Sequence, residues 1–173
     1  MKAIIYKSNT GSTASYAKLL AHELNLPVYS AEDAKKRISY DSEIIYLGWI
    51  MASGIKGYSD ITKKYNVRAV CAVGMGQTGT QMKEVRDKNS IPNKIPLFTL
   101  QGNFDVKKLH GIYKIMMSIM VKTVGKALAN KKDRTPEEDD MLDMMLNGGE
   151  RVKVENLKAI IDWYNQEKQK RGK

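Results

Sequence analysis

The chain has 173 residues, 42% hydrophobic and 28% charged, the balance of a globular protein long enough to bury one substantial core. Its single cysteine, Cys71, excludes an internal disulfide framework, cysteine-based zinc sites and a Cys-x-x-Cys redox pair. A net charge of +10 points to an anionic partner, whether a membrane surface, a nucleic acid or an acidic protein, without choosing among them.

The apolar run Ala3-Ile4-Ile5-Tyr6 predicts an opening strand. A strand this early leaves no room for a signal peptide, and no apolar stretch approaches the roughly 20 residues that span a bilayer. The expected location is therefore the cytoplasm, with peripheral binding to the inner face of the membrane as the one variation. Next comes Ser8-Asn9-Thr10-Gly11-Ser12-Thr13, which runs into a helical pattern over 12–24. Unpaired N–H groups at a helix start carry partial positive charge and attract anions. Hydroxyls donate further hydrogen bonds, and Gly11 lets the backbone approach closely. The segment therefore reads as a phosphate cradle with no lysine inside it. An ordinary helix cap is the alternative, but it accounts for one hydroxyl, not for those of Ser8, Thr10, Ser12 and Thr13 together.

Four further strands are predicted: Pro27 to Ser30, Glu43 to Gly48, Val67 to Val73 and Ile95 to Leu100. Helical patterns lie at 58–65 and 79–88, and a last one runs over 153–169. Cys71, inside the fourth strand, reads as a buried structural thiol. Strands alternating with helices predict a doubly wound α/β protein, a parallel sheet with helices on both faces. In such a sheet, ligands sit beyond the carboxyl ends of the strands. Three loops leave that edge: the phosphate loop, Trp49-Ile50-Met51-Ala52-Ser53-Gly54 running on to Gly57, and Gly74-Met75-Gly76 running on to Thr80. Trp49 is the one large aromatic there, and either stacks on a ring or serves as a rim tryptophan. Gly74-Met75-Gly76-Gln77-Thr78-Gly79 also fits the dinucleotide pattern G-x-G-x-x-G. The acidic residue that pattern wants at the end of the next strand is missing, so a loop lying against the same ligand is the preferred reading.

Between the fifth strand and the last helix lies an insert over 102–150, far longer than an ordinary connection. On a helical wheel of 106–128, Leu109, Ile112, Tyr113, Met116, Ile119, Met120, Val124 and Leu128 form an apolar arc. Lys107, Lys108, Lys114, Lys122 and Lys126 lie opposite, with Met117 and Val121 left as exposed apolar residues. This is either a surface helix on the core or a helix meeting lipid or a hydrophobic ligand. Thr135-Pro136 followed by acids reads as a capped helix start and not as a metal site, with an apolar helix ending at Gly148-Gly149. His22 and His110 stand in no recognisable catalytic arrangement, and the tail from Lys168 reads as a basic, frayed end.

The loop at 8–13, opening a βαβ chain of this length, resembles the Thr/Ser-x-Thr-Gly-x-Thr phosphate loop of the flavodoxins. The resemblance spans most of 1–170 as one domain. It implies a five-stranded parallel sheet in the order 2-1-3-4-5 and bound FMN, with the phosphate on residues 8–13. The isoalloxazine would lie between the loops at 49–57 and 74–79, where a backbone carbonyl around Trp49-Ile50, Gly54 or Gly57 would meet N5. The chain is strongly basic where typical flavodoxins are acidic. Gln101-Gly102-Asn103-Phe104-Asp105-Val106-Lys107-Lys108-Leu109 and the Met-rich helix after it look like the branch that includes menaquinone-dependent protoporphyrinogen dehydrogenases. That likeness implies a redox partner protein or a hydrophobic quinone or porphyrin substrate. The chain is then an FMN-dependent electron carrier or dehydrogenase. The alternative is a peripheral-membrane or regulatory module that kept the fold without the flavin. A nucleic-acid partner is disfavoured, since no aromatic platform or groove-reading helix accompanies the lysines.

Overall fold

The computed structural model describes residues 1–103 and 111–172. Five parallel strands, β1 (Ala3–Lys7), β2 (Val28–Ser30), β3 (Glu43–Met51), β5 (Asn66–Gly74) and β6 (Leu97–Gln101), lie in the order β2-β1-β3-β5-β6. The short β4 (Gly54–Ile55) folds back antiparallel on β3. Counting the parallel strands alone, this is the 2-1-3-4-5 winding of a flavodoxin-like doubly wound fold.

The period-2 geometry of strands sorts the apolar runs into two cores, which is why they read as continuously hydrophobic. Ile5, Ile44, Tyr46, Val70 and Ala72 face one layer, with α2 (Ala31–Arg37), α3 (Tyr58–Thr62) and α4 (Met82–Lys88). Ile4, Ile45, Leu47, Ala69, Cys71 and Val73 face the other, with α1 (Ser12–Leu24) and α8 (Lys158–Arg171). Each fully buried Ile or Leu contributes about 1.5–3 kcal/mol. Cys71 is fully buried, as expected, and burial pushes its thiol well above the usual range. Helix α1 places Tyr16, Ala17, Leu20, Ala21 and Leu24 on its buried face and stops at Asn25, whose left-handed backbone (φ 50°) ends the helix.

Two elements differ from expectation. Helix α2 escapes a search for apolar periodicity because its buried stripe is only Ala31 and Ala34. Its signal is polar instead. The Ser30 hydroxyl accepts the Asp33 N–H at 3.1 Å, acids fill the first turn, and Lys35, Lys36 and Arg37 fill the last. Strand β3 does not stop at Gly48 but continues to Met51 and reverses through Ala52 and Ser53, both left-handed (φ 48° and 60°). Two such residues make a tight hairpin turn that normally advertises itself as Asn-Gly, so Ala-Ser left no sign in the sequence.

The described part of the insert comprises α5 (Gly111–Met120), a π-helical stretch (Val121–Gly125), α6 (Lys126–Asn130) and α7 (Pro136–Asn147). Lys107, Lys108, Leu109 and His110 lie outside the described residues, as do the side chains of Ile112 and Tyr113. Helix α7 begins as anticipated: Thr135 caps Glu138 and Glu138 caps Thr135 in return, with Pro136 in the first position. The orientation of the preceding helix is a correction. Met117 and Val121, expected to be exposed, pack with Met120 on the buried Met144 and Met145. Met116, Ile119 and Val124, on the arc expected to meet either the core or a lipid or hydrophobic ligand, are exposed, with Ile115 beside them. The π-helical turn carries more residues per turn than an α-helix, so a regular wheel loses phase there. Among the described residues, no helix is long and apolar enough to cross a membrane.

At the amino end of the sheet, Glu43 accepts hydrogen bonds from Arg171 (3.0 Å) and Arg68 (3.1 Å) and lies 3.7 Å from the terminal amine. This ties α8 and β5 to β3. The Arg171 hydrogen bond, supported by the charges of Arg171, Arg68 and the amine, holds the Glu43 carboxyl below its usual range. A depressed carboxylate contributes stability that is present above the unfolded-state value, about pH 4, and is lost as pH falls through the folded one. Glu43→Gln should therefore lower the Tm at neutral pH, and the gap from the parent should close as pH drops below about 4. Thermal unfolding of both proteins across pH tests this; a gap that is constant with pH contradicts it.

Candidate functional site

Strand β1 delivers the chain to residues 8–11 at the carboxyl edge of the sheet, directly before α1. The residue capping α1 is Gly11 (φ 107°), so no side chain closes the first turn, and that turn holds no acidic residue. The hydroxyls therefore do not act as a helix cap. The Ser8 Oγ is buried and has no hydrogen-bond partner among the described residues. A Cβ built on Gly11 would meet nothing within 4 Å, so open space lies above the turn. An uncapped 13-residue helix with an orphaned hydroxyl before it offers partial positive charge and open hydrogen-bond donors. Ser12 is differently employed, since its Oγ accepts the Asn103 N–H at 3.0 Å.

Beside this cradle, the β3–β4 hairpin is held by Asn89, just past the end of α4. Asn89 donates to the Ser53 carbonyl (2.8 Å) and accepts the Ile55 N–H (2.7 Å). The Lys56 ammonium lies 5.7 Å from the centre of the Trp49 ring. Of the carbonyls expected near a ring, that of Trp49 already accepts the Lys56 N–H at 3.0 Å. Gly57 is packed against Tyr46 and the Lys7 side chain, behind the hairpin. The loop after β5 is laced to β6: Gly79 N–H donates to Thr99 O (3.1 Å) and Thr99 Oγ1 donates to Thr80 O (2.7 Å). Helix α4 starts only at Met82, after Gln81, so G-x-G-x-x-G does not form the strand-turn-helix of a dinucleotide site.

These loops enclose one side of a cavity of about 600 Å³. Its lining includes Asn9, Thr10, Ser12 and Thr13, Trp49 to Ser53, and Gly74 to Gly76, all anticipated from the sequence. Ser8, Gly11 and Gly54 are not among the lining residues. The other wall comes from the insert: Met116, Met120 and Val124, from the arc weighed as meeting a hydrophobic ligand, together with Met117, Met141 and Met145, which were not anticipated there. A methionine-rich helix was visible in the sequence, but nothing local says which of its faces turns towards the sheet. Gly102 and Asn103 complete the lining, and a side chain at Gly102 would press on Val73 and the Cβ of Ser12.

Asn103 joins the two walls. Its side-chain oxygen accepts the N–H groups of Arg151 (2.5 Å) and Val152 (3.0 Å), while its own N–H reaches Ser12. Buried Tyr16 donates to the Gln101 carbonyl (2.6 Å) and accepts from Asn156 (2.6 Å), and desolvation raises its phenol above the usual value. Arg151 pairs with Asp140 (3.2 Å) and Asp143 (3.0 Å) of α7, and Gln101 donates to Asp140. The insert thus leaves and re-enters the sheet through one polar bracket, anchored on the first turn of α1. His22, by contrast, is exposed on α1 beside Glu23 and far from any such network.

No protein-family model matches the chain, and no curated protein sequence is significantly similar to it.

Replacing Asn103 with Leu keeps the branching at Cγ and removes the acceptor, leaving the Arg151 and Val152 N–H groups without it. Chemical denaturation should show a loss of about 1–3 kcal/mol. A change within about 0.5 kcal/mol would mean that the bracket carries no weight.

Proposed function

We propose that this chain binds FMN and acts as a flavodoxin-like redox protein, either an electron carrier or a quinone-linked dehydrogenase of the protoporphyrinogen type. The observation that carries this reading is the orphaned Ser8 hydroxyl before the uncapped start of α1, whose neighbours Thr10, Ser12 and Thr13 line a cavity of about 600 Å³. The residues present fit the group. The phosphate would rest on the N–H groups at the start of α1, with Ser8, Thr10 and Thr13 around it and no side-chain cation required. The ring system would occupy the remainder of the cavity, between the Trp49 hairpin and Gly74-Met75-Gly76.

When bound, FMN supplies the electron-accepting chemistry that the side chains lack. The protein's part is to bind, orient and shield. Asn89 fixes the hairpin, so the Trp49 edge is preorganised. The methionine wall excludes water and offers a deformable apolar seat to a quinone or porphyrin. Lys56, held near Trp49, places positive charge where an anionic reduced cofactor gains from it. A net charge of +10 acts in the same direction over longer range.

Purified protein should be yellow, release FMN on heating, and gain Tm with added FMN, because a ligand of the folded state stabilises by mass action. Gly11→Val should weaken FMN binding at least about tenfold, since φ 107° is costly for a β-branched residue and its side chain would fill the open space. Colourless protein whose Tm ignores saturating FMN would favour the flavin-free module. In the loaded protein, Lys56→Glu should shift the flavin midpoint potential to more negative values; an unchanged or more positive potential would contradict the placement of the ring beside Trp49.

A further inference from the structure

The helix that closes the cavity turns a second apolar face to solvent. Ile115 is 62% exposed, Ile119 57%, Met116 48% and Val124 40%. Side chains of this kind are ordinarily scattered singly over a surface, and a contiguous group marks an interaction site. Ile115 and Ile119 are four residues apart on one face of α5, and Lys122 and Lys126 follow in the π-helical stretch and at the start of α6. Lys114, Lys122 and Lys126 are all exposed, and the stretch 111–130 contains no Asp or Glu. The nearest described acids, Asp133 and Glu137, lie past the end of this helix and beyond Lys131 and Lys132, while Glu138 pairs with Lys131 and Asp139 with Arg134.

We infer that this face is a docking surface for an anionic lipid bilayer, with Ile115, Met116 and Ile119 entering the headgroup–acyl boundary and the three lysines meeting anionic headgroups. Charge decides between occupants. An all-basic rim around isoleucines complements a negative leaflet and repels a second copy of this chain, which carries the same +10. Size agrees, because four side chains fall well short of the roughly 800 Å² per partner of a stable protein interface, yet suffice for reversible interfacial binding. Position adds a consequence. Met116 and Val124 both line the cavity and reach solvent, so the cavity mouth opens on the docking face. A hydrophobic ligand would then pass from the acyl region to the cavity without crossing water. That last consequence rests on the proposed function, whereas the docking does not require the flavin.

Vesicle flotation of the full chain, with and without FMN, tests the inference. The protein should float with vesicles of phosphatidylcholine and phosphatidylserine, far less with phosphatidylcholine alone, and less as salt is raised. Ile115→Ser with Ile119→Ser should cut partitioning by at least about tenfold. Lys122→Gln with Lys126→Gln should cut it about twenty-five-fold, at roughly fivefold per lysine. The exposed positions mean that all variants should retain the parent's Tm and its response to FMN, so failure of flavin binding is read separately from failure of docking. The proposal is overturned if the parent does not float at low salt, or if the isoleucine variant floats like the parent. It is equally overturned if flotation ignores both salt and the lysine changes. Sedimentation of a dimer that the isoleucine substitutions abolish, without flotation, would assign the face to a second copy and overturn the lipid assignment.

Discussion

Helix α1 begins on a glycine, and its first turn is therefore left with N–H groups that no side chain of the cap satisfies. Everything at the carboxyl edge of the sheet is arranged around that unsatisfied turn. Strand β1 aims the chain at it, β6 ends beside it, and Asn103 reaches across to grip Ser12. Leaving helix donors open costs stability unless water or a ligand takes them, and a buried hydroxyl without a partner adds to that cost. That open turn and unpartnered hydroxyl are the features on which the proposed anion site rests.

The site's second wall belongs to the insert, which would be a liability if it were free to wander. Its two ends are brought together by Asn103, Tyr16, Asn156 and Arg151, and its last long helix is held to β6 through Gln101 and Asp140. Because these bonds converge on the first turn of α1, the cradle and the methionine wall share one mechanical base. Methionine then suits the wall for the opposite reason. It is flexible, so a precisely based cavity keeps a lining that adapts to an irregular apolar ligand.

The helix over that cavity faces three environments at once: Met117, Met120 and Val121 pack on Met144 and Met145; Met116, Met117, Met120 and Val124 border the cavity; and Ile115 and Ile119 meet solvent. A uniform wheel cannot assign three faces, and the π-helical turn at Val121–Gly125 moves the phase partway along. The exposure expected at Met117 and Val121 was therefore wrong, and the single apolar arc is divided between packed core, cavity and solvent.

What the sequence determined by itself was whatever depends on short-range pattern. The apolar runs of β1, β3, β5 and β6 declare buried parallel strands because each must fill both faces of a sheet. The glycine at 11 declares a helix start with open donors, because no side chain can close that turn. Pro136 after Thr135 declares a helix start because proline lacks an N–H that the first turn does not use. Tertiary structure decided the rest: that Ser12 serves Asn103, that Ala52 and Ser53 make a hairpin held by a distant Asn89, and that the insert folds back to supply half of the cavity. Those outcomes depend on contacts between residues far apart in the chain. No local spacing encodes them, because the energy that selects them arises only once the two cores have brought the strand ends together.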